Sequence, residues 1–147
     1  MYFEKYNQEG QKILETLAYE LGHTEDLGKA ERMLKAVFHA LRNRWDLKES
    51  VEFLALLPLP IKPFFIDGWQ VHKTTLPLQH LDDFLAEIMK EDGEKVIEDF
   101  LTPDQTMVAL KDIFRVIGAF LNEEQKLEME AALPDVLQKV WEETVLA

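Results

Sequence analysis

Residues 33–41 read Met-Leu-Lys-Ala-Val-Phe-His-Ala-Leu, and residues 109–117 read Ala-Leu-Lys-Asp-Ile-Phe-Arg-Val-Ile. In the first stretch Met33, Leu34, Val37, Phe38 and Leu41 share one face of an α-helix, at spacings of one, four, five and eight. Ala109, Leu110, Ile113, Phe114 and Ile117 repeat that stripe 76 residues later. At this offset residues 34–65 align with 110–141 without a gap. Seven of the 32 positions are identical: Leu34/Leu110, Lys35/Lys111, Phe38/Phe114, Glu52/Glu128, Ala55/Ala131, Leu57/Leu133 and Pro58/Pro134. Local signals recur with the stripe. Asp46 with Glu49, and Asn122 with Gln125, have the spacing of a capping box, whose side chains satisfy the free N–H groups of a helix start. The helix that follows each box runs into Leu-Pro, where proline disfavours helical backbone before it and suits a new first turn.

Working outward, Ile13, Leu14 and Leu17 correspond to Phe84, Leu85 and Ile88 at an offset of 71, so the second copy holds five more residues in its first connection. That acidic connection, residues 91–99, has room for an extra turn around Val96, Ile97 and Phe100. Thr102-Pro103-Asp104-Gln105 then reads as a helix start. Helices are predicted near residues 3–21, 25–44, 47–57, 60–67, 80–91, 103–120, 123–132 and 134–145. No alternating run demands a sheet; Phe64-Phe65-Ile66 follows Pro63 and reads as a distorted helix end. The expectation is an all-α, compact bundle of about eight helices built from two pseudo-symmetric four-helix repeats. Repeat one spans 1–68, a linker 69–79, and repeat two 80–147. Each unit is small for a core of its own, so the two are expected to share one, face to face, burying Phe38, Phe114, Trp69 and Trp141.

Ala36-Val37-Phe38-His39-Ala40-Leu41, Glu52-Phe53-Leu54-Ala55-Leu56-Leu57-Pro58 and Ala131-Ala132-Leu133-Pro134 with Trp141 resemble a bacterial family known as domain of unknown function 2267. The likeness covers roughly residues 10–145 and rests on core and cap positions. Pro60 and Pro63 depart from the family's fourth helix. The resemblance implies an all-helical bundle and brings no assigned activity, cofactor or catalytic residue.

Composition bounds the function. The chain has 147 residues, 47% hydrophobic and 30% charged, in the ordinary globular range. A net charge of −12 repels nucleic acid, whose affinity comes from cations on phosphates. With no cysteine, disulfides, thiolate metal sites and Cys nucleophiles are excluded. The opening residues lack a basic stretch followed by an apolar one, and no window approaches a membrane span, so a cytoplasmic protein without membrane contact is expected. The charge is uneven: residues 1–76 carry a net −1, residues 77–147 a net −11, and residues 81–104 alone a net −7. Such a face either steers a basic partner or solubilises the chain; solvation is the simpler reading.

Candidate chemistry is sparse. Glu20-Leu21-Gly22-His23 has the Glu-x-x-His spacing of di-iron bundles, but no second such pair exists. His80, Asp83 and Glu87 fall at spacings of three and seven and are the metal candidates, with His72 able to fold back on them. The buried stripe Leu81, Phe84, Leu85 and Ile88 leaves the trio on a solvated face. His39 corresponds to Arg115 and reads as an exposed polar position. Ser50, the only serine, sits in a first helical turn, where capping explains it better than nucleophilic catalysis. The scattered glycines form no phosphate cradle. Phe65 and Trp69, in Phe64-Phe65-Ile66-Asp67-Gly68-Trp69-Gln70-Val71-His72, are the candidate partner contacts. The reading is a protein without catalytic residues or cofactor that binds another protein, or itself, through a groove between its copies. The alternative is a small-ligand- or metal-binding bundle using His80, Asp83 and Glu87.

Overall fold

A computed structural model describes residues 2–22, 25–71 and 77–147. Among them all regular structure is helical. In chain order the α-helices are α1 (Tyr2–Glu20), α2 (Leu27–Arg42), α3 (Leu47–Leu56), α4 (Lys62–Ile66), α5 (Leu81–Asp92), α6 (Val96–Asp99), α7 (Pro103–Ala119), α8 (Glu123–Ala132) and α9 (Asp135–Trp141). Short 3-10 turns, Leu59–Ile61 and Gly93–Lys95, precede α4 and α6, and a wider π turn, Glu142–Leu146, follows α9.

The starts are side-chain driven. Asp26 accepts from the Lys29 N–H at 2.9 Å, and Thr102 Oγ1 accepts from the Gln105 N–H at 3.1 Å beside Pro103. Both capping boxes form: Glu49 and Asp46 exchange bonds at the start of α3, as Gln125 and Asn122 do at the start of α8. Both helices end at a leucine in extended geometry, Leu57 and Leu133, ahead of proline. Beyond these breaks the halves diverge. Pro134 opens α9, which runs through to the π turn. Pro60 and Pro63 remove N–H donors from the matching stretch, which yields a 3-10 turn and the short α4. The expected extra turn in the acidic connection is present as Gly93–Lys95 and α6; Phe100 is buried and Ile97 is 73% exposed.

α2 packs against α5 and α7 against α1, while α3 meets α8, so elements from the two halves alternate around one contiguous buried cluster. Phe38 lies 6.1 Å from Phe53 and 5.9 Å from Phe65, with Trp45 5.0 Å from Phe53. Phe114 stacks edge-on with Trp141 at 5.3 Å. Phe38, Phe114 and Trp141 are buried, each ring worth about 2–3 kcal/mol of burial. Trp69 differs from expectation: it is half-buried, leaning edge-on against Phe65 at 5.7 Å rather than sealed in a seam.

α6 is pinned to α2 by charge. Arg32 grips the fully buried Asp99 carboxylate through Nε and Nη2 at 3.1 and 3.0 Å, and Lys29 Nζ donates to the Glu98 carbonyl at 2.6 Å.

Candidate functional site

α4 must end where α2 ends, and Arg42 arranges it. Its Nη1 donates to the Phe65 carbonyl at 2.6 Å and to the Asp67 carbonyl at 2.5 Å, collecting acceptors that the end of α4 leaves free. Gly68, at φ +68, turns the chain in the left-handed region, and Lys35 holds Asp67 by an ion pair at 3.2 Å. The turn carries Trp69 back onto Phe65. Trp45, at the bend between α2 and α3, comes from the other side.

Between the two indoles opens a cleft of about 230 Å³, floored by Arg42 and edged by Asp46, Val71 and Glu91. Glu91 belongs to α5, so the cleft lies where the halves meet. Neither indole N–H has an acceptor among the described residues, and neither is sealed from solvent. The same holds for Nε and Nη2 of Arg42. Burial lowers the Arg42 pKa, opposed by the charges of Glu91 and Asp67; a guanidinium stays charged even so. The third tryptophan is a contrast. Trp141 Nε1 donates to the Lys126 carbonyl at 3.0 Å and is spent on structure. Beyond Trp45 a wider hollow of about 510 Å³ continues between Glu49, Leu78, Ala131 and Pro134. Arg44 bridges the halves to Glu87 at 2.8 Å.

The candidates read from sequence fare unevenly. Trp69 lines the cleft, but Phe65 is 0% exposed among Phe38, Phe53 and Trp69, so it supports the site and cannot itself meet a partner. His80, Asp83 and Glu87 do not converge: His80 stands at the mouth of α5, Asp83 is exposed, and Glu87 is taken by Arg44. Among the described residues no three His, Asp or Glu side chains gather as a metal would require. His23 and His72 lie outside the described residues. His39 is not an exposed polar position. It is half-buried, Nε2 bonded to the Phe64 carbonyl at 2.8 Å, and burial lowers its pKa. Ser50 does not cap: Asp46 does, and Ser50 Oγ is buried without a partner, with neither base nor carboxylate to activate it.

Sequence reading missed Trp45 and Arg42. Arg42 closes α2 and Trp45 stands in the break after it, beside the capping Asp46, where neither has a role in the cap. It also missed the Arg32–Asp99 pair, which joins residues 67 apart and leaves no local trace.

Among the described residues, no helix is long and apolar enough to cross a membrane. No curated protein matches the chain. Residues 11–140 match the family described as uncharacterized conserved protein (DUF2267), and the chain belongs to that family.

Proposed function

We propose that this protein is a non-catalytic interaction module, grown from duplication of one helical unit, which receives an extended peptide segment of a partner in the Trp45–Trp69 cleft. The observation that carries the reading is that two indoles whose N–H groups have no acceptor among the described residues, and Arg42 with Nε and Nη2 equally free, line one small, mostly polar cleft. These donors reach water in the free protein, so a ligand that covers them must supply acceptors in its place. Backbone carbonyls or a carboxylate of a peptide do so, while Asp46 and Glu91 accept its N–H groups. The cleft falls below the usual size of small-molecule sites, and aromatic-plus-arginine surfaces are typical partner anchors.

Comparison of the halves supports specialisation. Continuing the offset of 76, Arg42, Trp45 and Trp69 correspond to Gly118, Leu121 and Val145. There Val145 closes over Gly118 so tightly that a Cβ on it would stand 2.6 Å from Val145 Cγ1. One half keeps an open polar and aromatic cleft where the other is shut with small apolar groups. Paired capping boxes, paired Leu-Pro breaks and the reciprocal packing of α2 on α5 and α7 on α1 support duplication.

The test is selection of peptides from a random heptapeptide library on the immobilised protein, followed by calorimetric titration of those recovered. Trp69→Ala should weaken their binding at least about tenfold, or 1.4 kcal/mol, with the thermal midpoint little changed. Recovery of no binder, or of binders indifferent to Trp69→Ala, would refute the assignment.

A further inference from the structure

Two hollows lie against the α3 and α8 pair. The first, beside Trp45, is the one of about 510 Å³, and the second holds about 410 Å³. All ten residues lining the second stand 76 positions from a residue lining the first, so the two are counterparts under the offset that relates the halves. Their chemistry differs. In the second, Lys62 Nζ donates to the Leu54 and Ala55 carbonyls at 2.6 and 3.1 Å, so an ammonium closes the carbonyl end of α3. In the first, Gln138 stands in the place of Lys62, and its Nε2 turns to the Leu133 carbonyl at 3.1 Å. The matching carbonyls at the end of α8, those of Glu130 and Ala131, receive no side-chain donor among the described residues. Charge moves the same way: Asp46, Glu49 and Asp135 stand where the other half has Asn122, Gln125 and Leu59. Asp46 and Glu49 each spend an oxygen on their capping box, whereas Glu52 and Asp135 have no hydrogen bond or ion pair among the described residues. Arg44 is the one cation among the described residues lining this hollow, and Glu87, outside the lining, holds it at 2.8 Å.

One half thus carries its own ammonium at a helix end, and the other presents the same helix end beside free carboxylates with no ammonium. We propose that the hollow beside Trp45 binds a primary alkylammonium group, whose N–H donors meet the carbonyl end of α8 as Lys62 meets that of α3, with Glu52 and Asp135 as counter-charges. The ammonium has three donors and no acceptor, which suits a rim of carbonyls and carboxylates. A metal ion does not suit it, because no three His, Asp or Glu side chains gather among the described residues. The same carboxylates disfavour anions. Trp69 lines the tryptophan cleft and not this hollow, so the site is independent of the peptide assigned there.

The probes are butylammonium, spermidine and acetyl-lysine amide, with butyltrimethylammonium as a control of equal charge that has no N–H to donate. Each is titrated into the full ¹⁵N-labelled chain at about 0.15 M salt, where loose surface attraction is screened. The three probes with N–H donors should give saturable shifts at the amides of Glu52, Ala131 and Asp135 and at the Trp45 indole, while the Trp69 and Trp141 indoles stay in place. The quaternary control should bind at least about tenfold more weakly. Spermidine binding far tighter than acetyl-lysine amide assigns the site to a free polyamine; comparable affinities assign it to a lysine side chain of another protein. Gln138→Lys, which supplies the ammonium from the chain itself, and Asp135→Leu, which copies Leu59, should each weaken binding at least about tenfold. Lys62→Gln, in the counterpart hollow, should leave it unchanged. A thermal melt checks that each variant folds. No saturable shift up to about 10 mM overturns the proposal, since affinity would then be weaker than about 3 kcal/mol. So does equal binding of the quaternary control, indifference to Gln138→Lys, or equal loss from Lys62→Gln.

Discussion

Asp92, at the end of α5, is the residue whose environment is most at odds with its chemistry. Burial first, then the hydrogen bond its protonated carboxyl donates to Asp99 and the charge of Asp99, push that carboxyl up to about 7, against the lowering influence of Arg32 and Lys29. Its Oδ2 is buried without a partner. The folded chain thus keeps a proton that the unfolded chain gives up near 3.8. The stability this residue supplies is complete below that value and drains away as pH rises to about 7. Asp92→Asn should leave stability unchanged near pH 4 and raise it by about 1 kcal/mol at pH 8, a figure discounted for partial solvation. Chemical denaturation across that range checks it; a variant whose pH slope matches the parent would contradict it. His39 acts in the opposite sense. Its neutral form is favoured by burial, so its contribution is lost as pH falls below 6.5. Leu101 is also under strain, with φ +69 in the left-handed region. Leu101→Gly should relieve about 1 kcal/mol, raising the thermal midpoint.

At the scale of helices, caps carry much of the definition. Asp46→Ala and Asn122→Ala should each cost about 1 kcal/mol in urea denaturation, because each deprives one helix start of its acceptor. Unequal losses would mean that the two starts are not equivalent in energy. Gly118→Ala should cost about 1–3 kcal/mol, since the new methyl meets Val145 in the terminal turn. The caps, the Leu-Pro breaks and the stripes around Phe38 and Phe114 were all legible in sequence because each is a local pattern of spacing or chain stiffness. What escaped was tertiary. Pro60 and Pro63 signalled disruption, but not that α4 would shrink to a platform for Trp69. Phe65 stood as a partner contact although its alignment with Trp141 already pointed to the core, where Phe38 and Phe53 enclose it. His80, Asp83 and Glu87 share a helix face on paper, yet Arg44, from another element, claims Glu87.

In the whole molecule, elements of each half pack on those of the other, α2 on α5 and α7 on α1, around one contiguous cluster. Segments 1–68 and 80–147, produced separately, should each fail to show a cooperative thermal transition, whereas the full chain should unfold in one. A sharp melt from either segment alone would contradict a shared core. That architecture leaves its open donors at the junction of the halves, and the three tryptophans report on it separately. The most direct test is the indole N–H region of a ¹H–¹⁵N spectrum during titration with a peptide selected on the protein. Resonances of Trp45 and Trp69 should move together, while Trp141, bonded to the Lys126 carbonyl, stays in place. A peptide that shifts Trp141 alone, or binds without disturbing Trp69, would contradict the proposal that the cleft receives a peptide.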